Sequence, residues 1–256
     1  MSKVIAITNQ KGGVGKTTTC VNLAASLVAT KRRVLVIDLD PQGNTTMGSG
    51  IDKNTLSHSV LDVLTQKADV NQVIQVSTPA GYDLLPSNGD LTAAEVELIQ
   101  VQKKEARLRL ALTQLQHQYD FVLIDCPPSL NMLTVNALAC ANSVLVPMQC
   151  EYYALEGISA LLNTVKFIKN SLNPELVIEG ILRTMYDPRN SLTNDVSHQL
   201  INHFGDLVYR TVIPRNVRLA EAPSHGLPAL LYDKHSRGAV AYLALASEFI
   251  RQQDKK

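Results

Sequence analysis

Nine residues near the amino terminus constrain this chain more than any others: Gln10-Lys11-Gly12-Gly13-Val14-Gly15-Lys16-Thr17-Thr18. They follow an apolar run, Val4-Ile5-Ala6-Ile7, and open into a helical pattern at Thr19, so the local order is strand, glycine loop, helix. Gly12, Gly13 and Gly15 leave backbone N–H groups free to turn inward onto a phosphate, and the positive end of the following helix adds its dipole. In such a loop Lys16 neutralises the β and γ oxygens of a nucleotide, and the Thr17 hydroxyl completes a Mg²⁺ shell made mostly of oxygen and water. The strict pattern places a glycine where this chain has Gln10, and the chain carries a second lysine, Lys11, just before Gly12. A glycine turn with no ligand would leave the Gly15-Lys16-Thr17 ending and the preceding strand unexplained.

The rest of the chain repeats the alternation. Apolar runs at Val4–Ile7, Val34–Ile37, Phe121–Ile124, Val144–Val146 and Val177–Leu182 are separated by helical segments. Continuous apolarity predicts parallel strands covered on both faces, hence an α/β fold with a single doubly wound, mostly parallel sheet and ligands at the carboxyl ends of its strands. A chain of 256 residues that is 45% hydrophobic can bury one large core, so a single domain over residues 1–256 is expected. The formal net charge of +1 excludes a polycation, and any nucleic-acid affinity must come from a local patch. Cys20, Cys126, Cys140 and Cys150 lack metal-site spacing, which fits a reducing compartment. The start reads as a strand rather than a signal peptide, and no apolar run approaches the roughly 20 residues that span a bilayer, so a cytoplasmic protein is expected.

Several strand ends carry polar residues. Asp38 and Asp40 follow the second strand and fall on the same side if it continues, although Asp40 and Asn44 also suit a turn with Pro41 and Gly43. A helix is expected over Ser57–Thr65, a short strand over Tyr82–Leu85 and a turn over Pro86–Gly89. Residues Thr92–Tyr119 read as a long helical region with Leu108, Leu112, Leu115 and Tyr119 on one stripe. The basic Lys103, Lys104, Arg107 and Arg109 nearby read first as a solvated face and second as a DNA or partner contact. Phe121–Ile124 delivers Asp125 to the sheet edge, where it would hold Mg²⁺ through water, and Cys126-Pro127-Pro128-Ser129 forms a stiff connector behind it. Glu151 ends a further strand. Arg189 sits in a turn-rich loop, and the span Tyr209–Arg218 holds Arg210, Arg215 and Arg218 with no acid. Exposed pairing of these arginines with Asp187, Glu221 or Asp233 is the plain structural alternative. Helical periodicity returns over Gly238–Gln252.

The segments NQKGGVGKTTT, DLDPQGN, IDCPPSL, QCEYYALEG and IPRNVRLAEAPSHG together resemble the ParA/MinD ATPases with a deviant P-loop, and within them the ParA/Soj partitioning branch, over essentially the whole chain. The resemblance implies an ATP- and Mg²⁺-dependent ATPase that forms a homodimer on binding ATP, with Lys11, the match to the family's signature lysine, reaching into the nucleotide site of the second subunit. It implies that Asp40 orients or polarises the attacking water, that Asp38 supports the outer shell of a metal held by Thr17 and Asp125, and that Cys126–Ser129 senses the γ-phosphate. Lys11, Gly12, Gly13, Val14, Gly15, Lys16, Thr17 and Thr18 would contact the nucleotide, with Pro214 and Asn216 bordering adenine. Arg189 and Arg218 would form a surface for non-specific double-stranded DNA, while Arg215 stays open between that surface and the adenine pocket. A ParB/Spo0J-type protein is the implied partner, and nucleoid association the implied location. Glu151 matches a residue near the nucleotide whose role the sequence does not assign. A membrane-associated, MinD-like regulator is the alternative; its basic amphipathic carboxyl-terminal helix has no counterpart in Gln252-Gln253-Asp254-Lys255-Lys256, and no membrane partner is expected. An electron-transfer ATPase like the nitrogenase iron protein would need cluster-bridging cysteines near the site, for which Cys126 and Cys150 are the candidates.

Overall fold

The computed structural model describes residues 2–76, 78–116 and 118–254. Seven strands pair in parallel: β1 (Lys3–Ile7), β2 (Val34–Asp38), β3 (Asp83–Leu85), β4 (Phe121–Asp125), β5 (Ser143–Gln149), β6 (Val177–Tyr186) and β7 (Val208–Pro214), in the spatial order β3-β2-β4-β1-β5-β6-β7. The longer helices are α1 (Lys16–Ala29), α2 (Met132–Cys140), α3 (Ala154–Ser171), α4 (Ser191–Phe204) and α5 (Arg237–Gln253).

Alternation along each strand explains why both faces are buried. Ile5, Ile7, Val34, Val36 and Leu123 pack with Leu23 and Leu27 of α1 and with Tyr242 and Phe249 of α5. Their neighbours Ala6, Leu35, Ile37, Val122 and Ile124 pack on the opposite face with Leu133 of α2 and Leu161 and Val165 of α3. Strands that are apolar at every position therefore serve two cores, one on each side of the sheet. Because the chain runs from β1 outward to β2 but from β4 across β1 to β5, the carboxyl end of β1 lies at a reversal of strand order, where such sheets open a crevice.

The expected strands are all present, with β5 and β6 extended to Gln149 and Tyr186. Strand β7 and helices α2 and α4 were not distinguished in the sequence. The helix expected at Ser57–Thr65 is shortened to Val60–Leu64, where Ser59 and Asp62 form a capping box. The long helical region expected over Thr92–Tyr119 is broken into short helical pieces that end at Leu112. Short helical turns at Gly89–Gln100 are separated from Arg107–Leu112 by an extended Val101 and a left-handed Lys103 (φ 52°), so the helical run is interrupted. Nor is its basic run uniformly solvated, since Arg107 is only 7% exposed and its Nε donates to the carbonyl of Leu64 at 3.1 Å, at the end of the helix Val60–Leu64.

Candidate nucleotide-binding site

The carboxyl ends of β1, β2, β4, β6 and β7 border or support one cavity of about 590 Å³. Gly12, Gly13, Gly15, Lys16, Thr17 and Thr18 line one part; Asp40, Asn44 and Pro128 extend it; Met185, Ile213, Pro214, Arg215, Asn216 and Val217 close another side. The sequence-chosen phosphate loop and the Pro214–Asn216 segment thus meet, although some 200 residues separate them.

Gly13 and Gly15 adopt φ of 73° and 88°, left-handed values that strain any other residue, and no atom lies within 4 Å of where a Cβ would sit on Gly12 or Gly13. Gly15 precedes α1 with no side-chain cap, so the helix presents its first N–H groups and positive dipole end to the cavity. Lys16, 7% exposed, donates to the carbonyl of Lys11 at 3.1 Å. Burial lowers its pKa, and the nearby Asp125 and Asp40 charges oppose that shift.

Asp38 and Asp125 are register partners at the ends of β2 and β4, and both are fully buried. Asp125 Oδ2 accepts from Thr17 Oγ1 and Thr45 Oγ1, both at 2.7 Å, while its buried Oδ1 has no hydrogen-bond partner. Asp38 is occupied by protein donors: Thr46 N at 2.8 Å, Thr46 Oγ1 at 2.7 Å and Asp40 N at 3.1 Å. An orphaned carboxylate oxygen beside a hydroxyl, next to a glycine cradle, fits a hard cation bound with a polyphosphate. Thr17 and Asp125 would hold that Mg²⁺, whose chemistry there is to neutralise charge on the β- and γ-phosphates.

Burial holds both carboxyls above the ordinary carboxylate range, with the Asp125 charge a further cause at Asp38; hydrogen bonds from Thr46 at Asp38, and from Thr17 and Thr45 at Asp125, oppose the shift. A carboxyl whose folded pKa exceeds its unfolded value adds stability that is fully present below the unfolded value and is lost as the pH rises through the folded one. Wild type should therefore gain stability relative to Asp38→Asn, without nucleotide, as the pH falls from about 7.5 to about 5.5, by roughly 1 kcal/mol per pH unit. Denaturant titrations at the two pH values measure this, and a pH-independent gap would contradict it.

Strand β2 stops at Asp38, so Asp40 does not reach the cavity by strand alternation as the sequence pattern allowed. Instead a turn carries it: Asp40 O accepts from Gly43 N at 2.9 Å and Oδ1 accepts from Gln42 N at 3.0 Å. Turn and site are both realised, because the same residue lines the cavity. Lys11 lies outside the cavity lining, and its ammonium pairs with Glu151 at the surface.

Two of the arginines, Arg189 and Arg218, are paired with the neighbouring acids that the sequence offered. Arg189 forks onto Asp187 (Nε to Oδ1 2.9 Å, Nη2 to Oδ2 2.7 Å), holding that carboxyl well below its usual range. Arg218 reaches Glu221 at 2.8 Å and Asp233 at 3.3 Å. Arg215 borders the cavity. Sequence reasoning missed Thr45, Thr46, Ser87 and Thr184. Ser87 donates through Oγ to Asp40 O at 2.8 Å and through N to Thr46 Oγ1 at 2.9 Å, tying β3 to the acidic loop. Lone hydroxyls carry no motif; the signal for Ser87 and Thr184 was position, directly after or within a strand's carboxyl end.

Fold and site together define a P-loop nucleoside triphosphatase. A family model described as an AAA domain matches residues 2–178. The chain is 54% identical over 248 residues to the sporulation initiation inhibitor protein Soj of Bacillus subtilis, covering 97% of this chain and 98% of that protein. It is 50% identical over 257 residues to the chromosome partitioning protein ParA of Caulobacter vibrioides, covering 99% and 96%. A solved structure of cobyrinic acid a,c-diamide synthase from Mycobacterium smegmatis with bound ADP and magnesium superposes with a TM-score of 0.86 at 38% identity, covering 99% of this chain and 96% of that one. That name denotes a different activity, and the partitioning relatives match more closely over the same span. The chain belongs to the ParA/Soj family of partitioning ATPases, and it is an ATPase that uses ATP and Mg²⁺.

Proposed function

We propose that this chain is a nucleotide-switched partitioning protein. ATP joins two copies through their glycine loops, the pair binds double-stranded DNA without reading its sequence, and a ParB-type partner stimulates hydrolysis and release; the protein is then nucleoid-associated while ATP is bound. One observation supports the reading: Lys11 belongs to the phosphate loop yet is not among the residues lining its own cavity, and its ammonium pairs with Glu151, both side chains being nearly half exposed. An exposed ion pair is worth about 0–1 kcal/mol, so it yields readily to the phosphates of a second subunit. Among the described residues no helix is long and apolar enough to cross a membrane.

Within this reading Lys16 and the loop from Gly12 to Thr18 hold the phosphates, Thr17 and Asp125 hold the metal with Asp38 behind them, Asp40 orients the attacking water, and Pro214 and Asn216 border the base. Positioning and charge carry most of phosphoryl transfer, and a carboxylate fixed through its backbone beside the metal site suits that task.

DNA binding must overcome a net charge of only +1. Two copies of Arg189 and Arg218 on one face of a dimer would exchange their partly exposed carboxylate partners for DNA phosphates, with Arg215 shared between that face and the cavity rim. Binding should then require ATP, ignore sequence, and fall with salt along a log–log slope of about −0.9 per phosphate neutralised. Arg189→Glu with Arg218→Glu should weaken binding to every duplex alike and flatten that slope, with ATP-dependent association intact. Mobility-shift titrations across a salt series decide it; undiminished affinity in the double variant would place the DNA surface elsewhere.

A further inference from the structure

Strand β6 enters the cavity from the side opposite the acidic loops, and its last four residues divide their tasks. Arg183, 7% exposed, is anchored away from the cavity: Nη1 donates to Ser197 Oγ at 2.7 Å, and Nη2 to the carbonyls of Tyr209 and Arg210 at 2.9 and 3.2 Å. Thr184, 3% exposed, donates through Oγ1 to the carbonyl of Val14 at 2.8 Å. Met185 lines the cavity beside Pro214 in a left-handed conformation (φ 49°), an unfavourable state for a non-glycine residue that persists only where its surroundings impose it. Tyr186 accepts a hydrogen bond from Arg215 N at 3.4 Å through its carbonyl.

We propose that Thr184 is a positioning residue for phosphate binding: its hydroxyl fixes the Val14–Gly15 peptide of the glycine loop in the orientation that the phosphates need. The inference rests on reading that loop as the phosphate cradle. Val14 stands between Gly13 and Gly15, the two loop residues with φ of 73° and 88°, so the loop's own dihedrals restrain that peptide weakly. A trans peptide is planar, and its N–H points opposite to its C=O; holding the Val14 carbonyl toward β6 therefore aims the Gly15 N–H the other way. One of the donors of the cradle is set by a side chain that lies 170 residues away in the chain. Without the hydroxyl, the carbonyl of Val14, itself 2% exposed, is buried with no partner, and the peptide turns to find one at the expense of the Gly15 N–H. Shape alone does not replace this contact: the Thr184 Cβ and Cγ2 lie 3.8 Å from where a Gly15 side chain would begin, close enough to fill space beside the loop but not to orient a peptide.

The test compares Thr184→Val, which keeps the shape and loses the hydroxyl, with Thr184→Ser, which keeps the hydroxyl. Calorimetric titration with Mg-ATP and with Mg-tripolyphosphate, which has no base, should show Thr184→Val about tenfold weaker for both, a loss of about 1.4 kcal/mol, and Thr184→Ser within about twofold of wild type. Equal affinities in Thr184→Val and wild type, or equal losses in the valine and serine variants, would overturn the proposal. So would a loss confined to ATP, which would place the effect at the Met185 side of the cavity. If Thr184→Val does not fold, Thr184→Ala against Thr184→Ser decides on the same criterion. Lys16→Ala separates the two levels: if it also binds tripolyphosphate like wild type, the reading of the loop as a phosphate cradle fails, whereas if it alone loses binding, only the role of Thr184 fails.

Discussion

Lys16→Ala should bind Mg-ATP at least about a hundredfold more weakly than wild type, a loss of about 2.8 kcal/mol or more. Charge-assisted hydrogen bonds are worth roughly 1.5–3 kcal/mol each, and in the proposed reading this ammonium makes more than one of them with the β and γ oxygens. The nucleotide-free protein should not suffer with it. Burial lowers the Lys16 pKa, so the charge is held there at a cost, and alanine removes that cost together with a single bond to the Lys11 carbonyl. The expected signature is a melting temperature near the wild-type value without nucleotide and no upward shift on adding Mg-ATP. Thermal shift with calorimetric titration measures both, and wild-type affinity in the variant would refute the phosphate-loop assignment.

The second large effect separates binding from chemistry. Asp40→Ala should bind ATP normally and hydrolyse it at least about a hundredfold more slowly, the usual scale for removing a group that orients or polarises the attacking water. The loop should survive, because Asp40 is fixed through its backbone: its N–H to Asp38, its carbonyl to Gly43 and Ser87. ATP-bound dimers should then accumulate. Lys11→Ala should behave oppositely, binding nucleotide and remaining monomeric, since within its own chain the ammonium contacts Glu151 rather than the cavity. Phosphate release with gel filtration scores each variant twice. Normal turnover in Asp40→Ala, or wild-type dimerisation of Lys11→Ala, would remove the corresponding role.

Sequence made some of this site legible for a definite reason. Gly12 to Thr18 and Asp125 are readable because a phosphate and a metal demand particular residue types at fixed spacing behind a strand, and no packing requirement imitates that pattern. Pro214 and Asn216 came from family resemblance, and the cavity they share with Lys16 depends on β7 lying beside β6, a pairing that no local pattern announces. Thr45, Thr46, Ser87 and Thr184 escaped because a single hydroxyl matters only through the partner it meets; for Thr45, Ser87 and Thr184 that partner comes from a distant segment, and for Thr46 it is the nearby Asp38. The breaks in the helical region expected over Thr92–Tyr119 have another origin. Leucines at helical spacing do not reveal that a left-handed Lys103 and an extended Val101 break the run while leaving Leu108 buried. For the arginines, Asp187, Glu221 and Asp233 were visible in sequence, and the ion pairs they form are as expected of exposed neighbours.

The central claim is that ATP, and not ADP, joins two copies of this chain through Lys11. Light scattering coupled to gel filtration of Asp40→Ala tests it most directly. With Mg-ATP the mass should be twice the 28.0 kDa of the chain, falling to 28.0 kDa with ADP, without nucleotide, or when Lys11→Ala is added. A mass of 28.0 kDa in saturating Mg-ATP, or a dimer of the same abundance in all four conditions, would contradict the account.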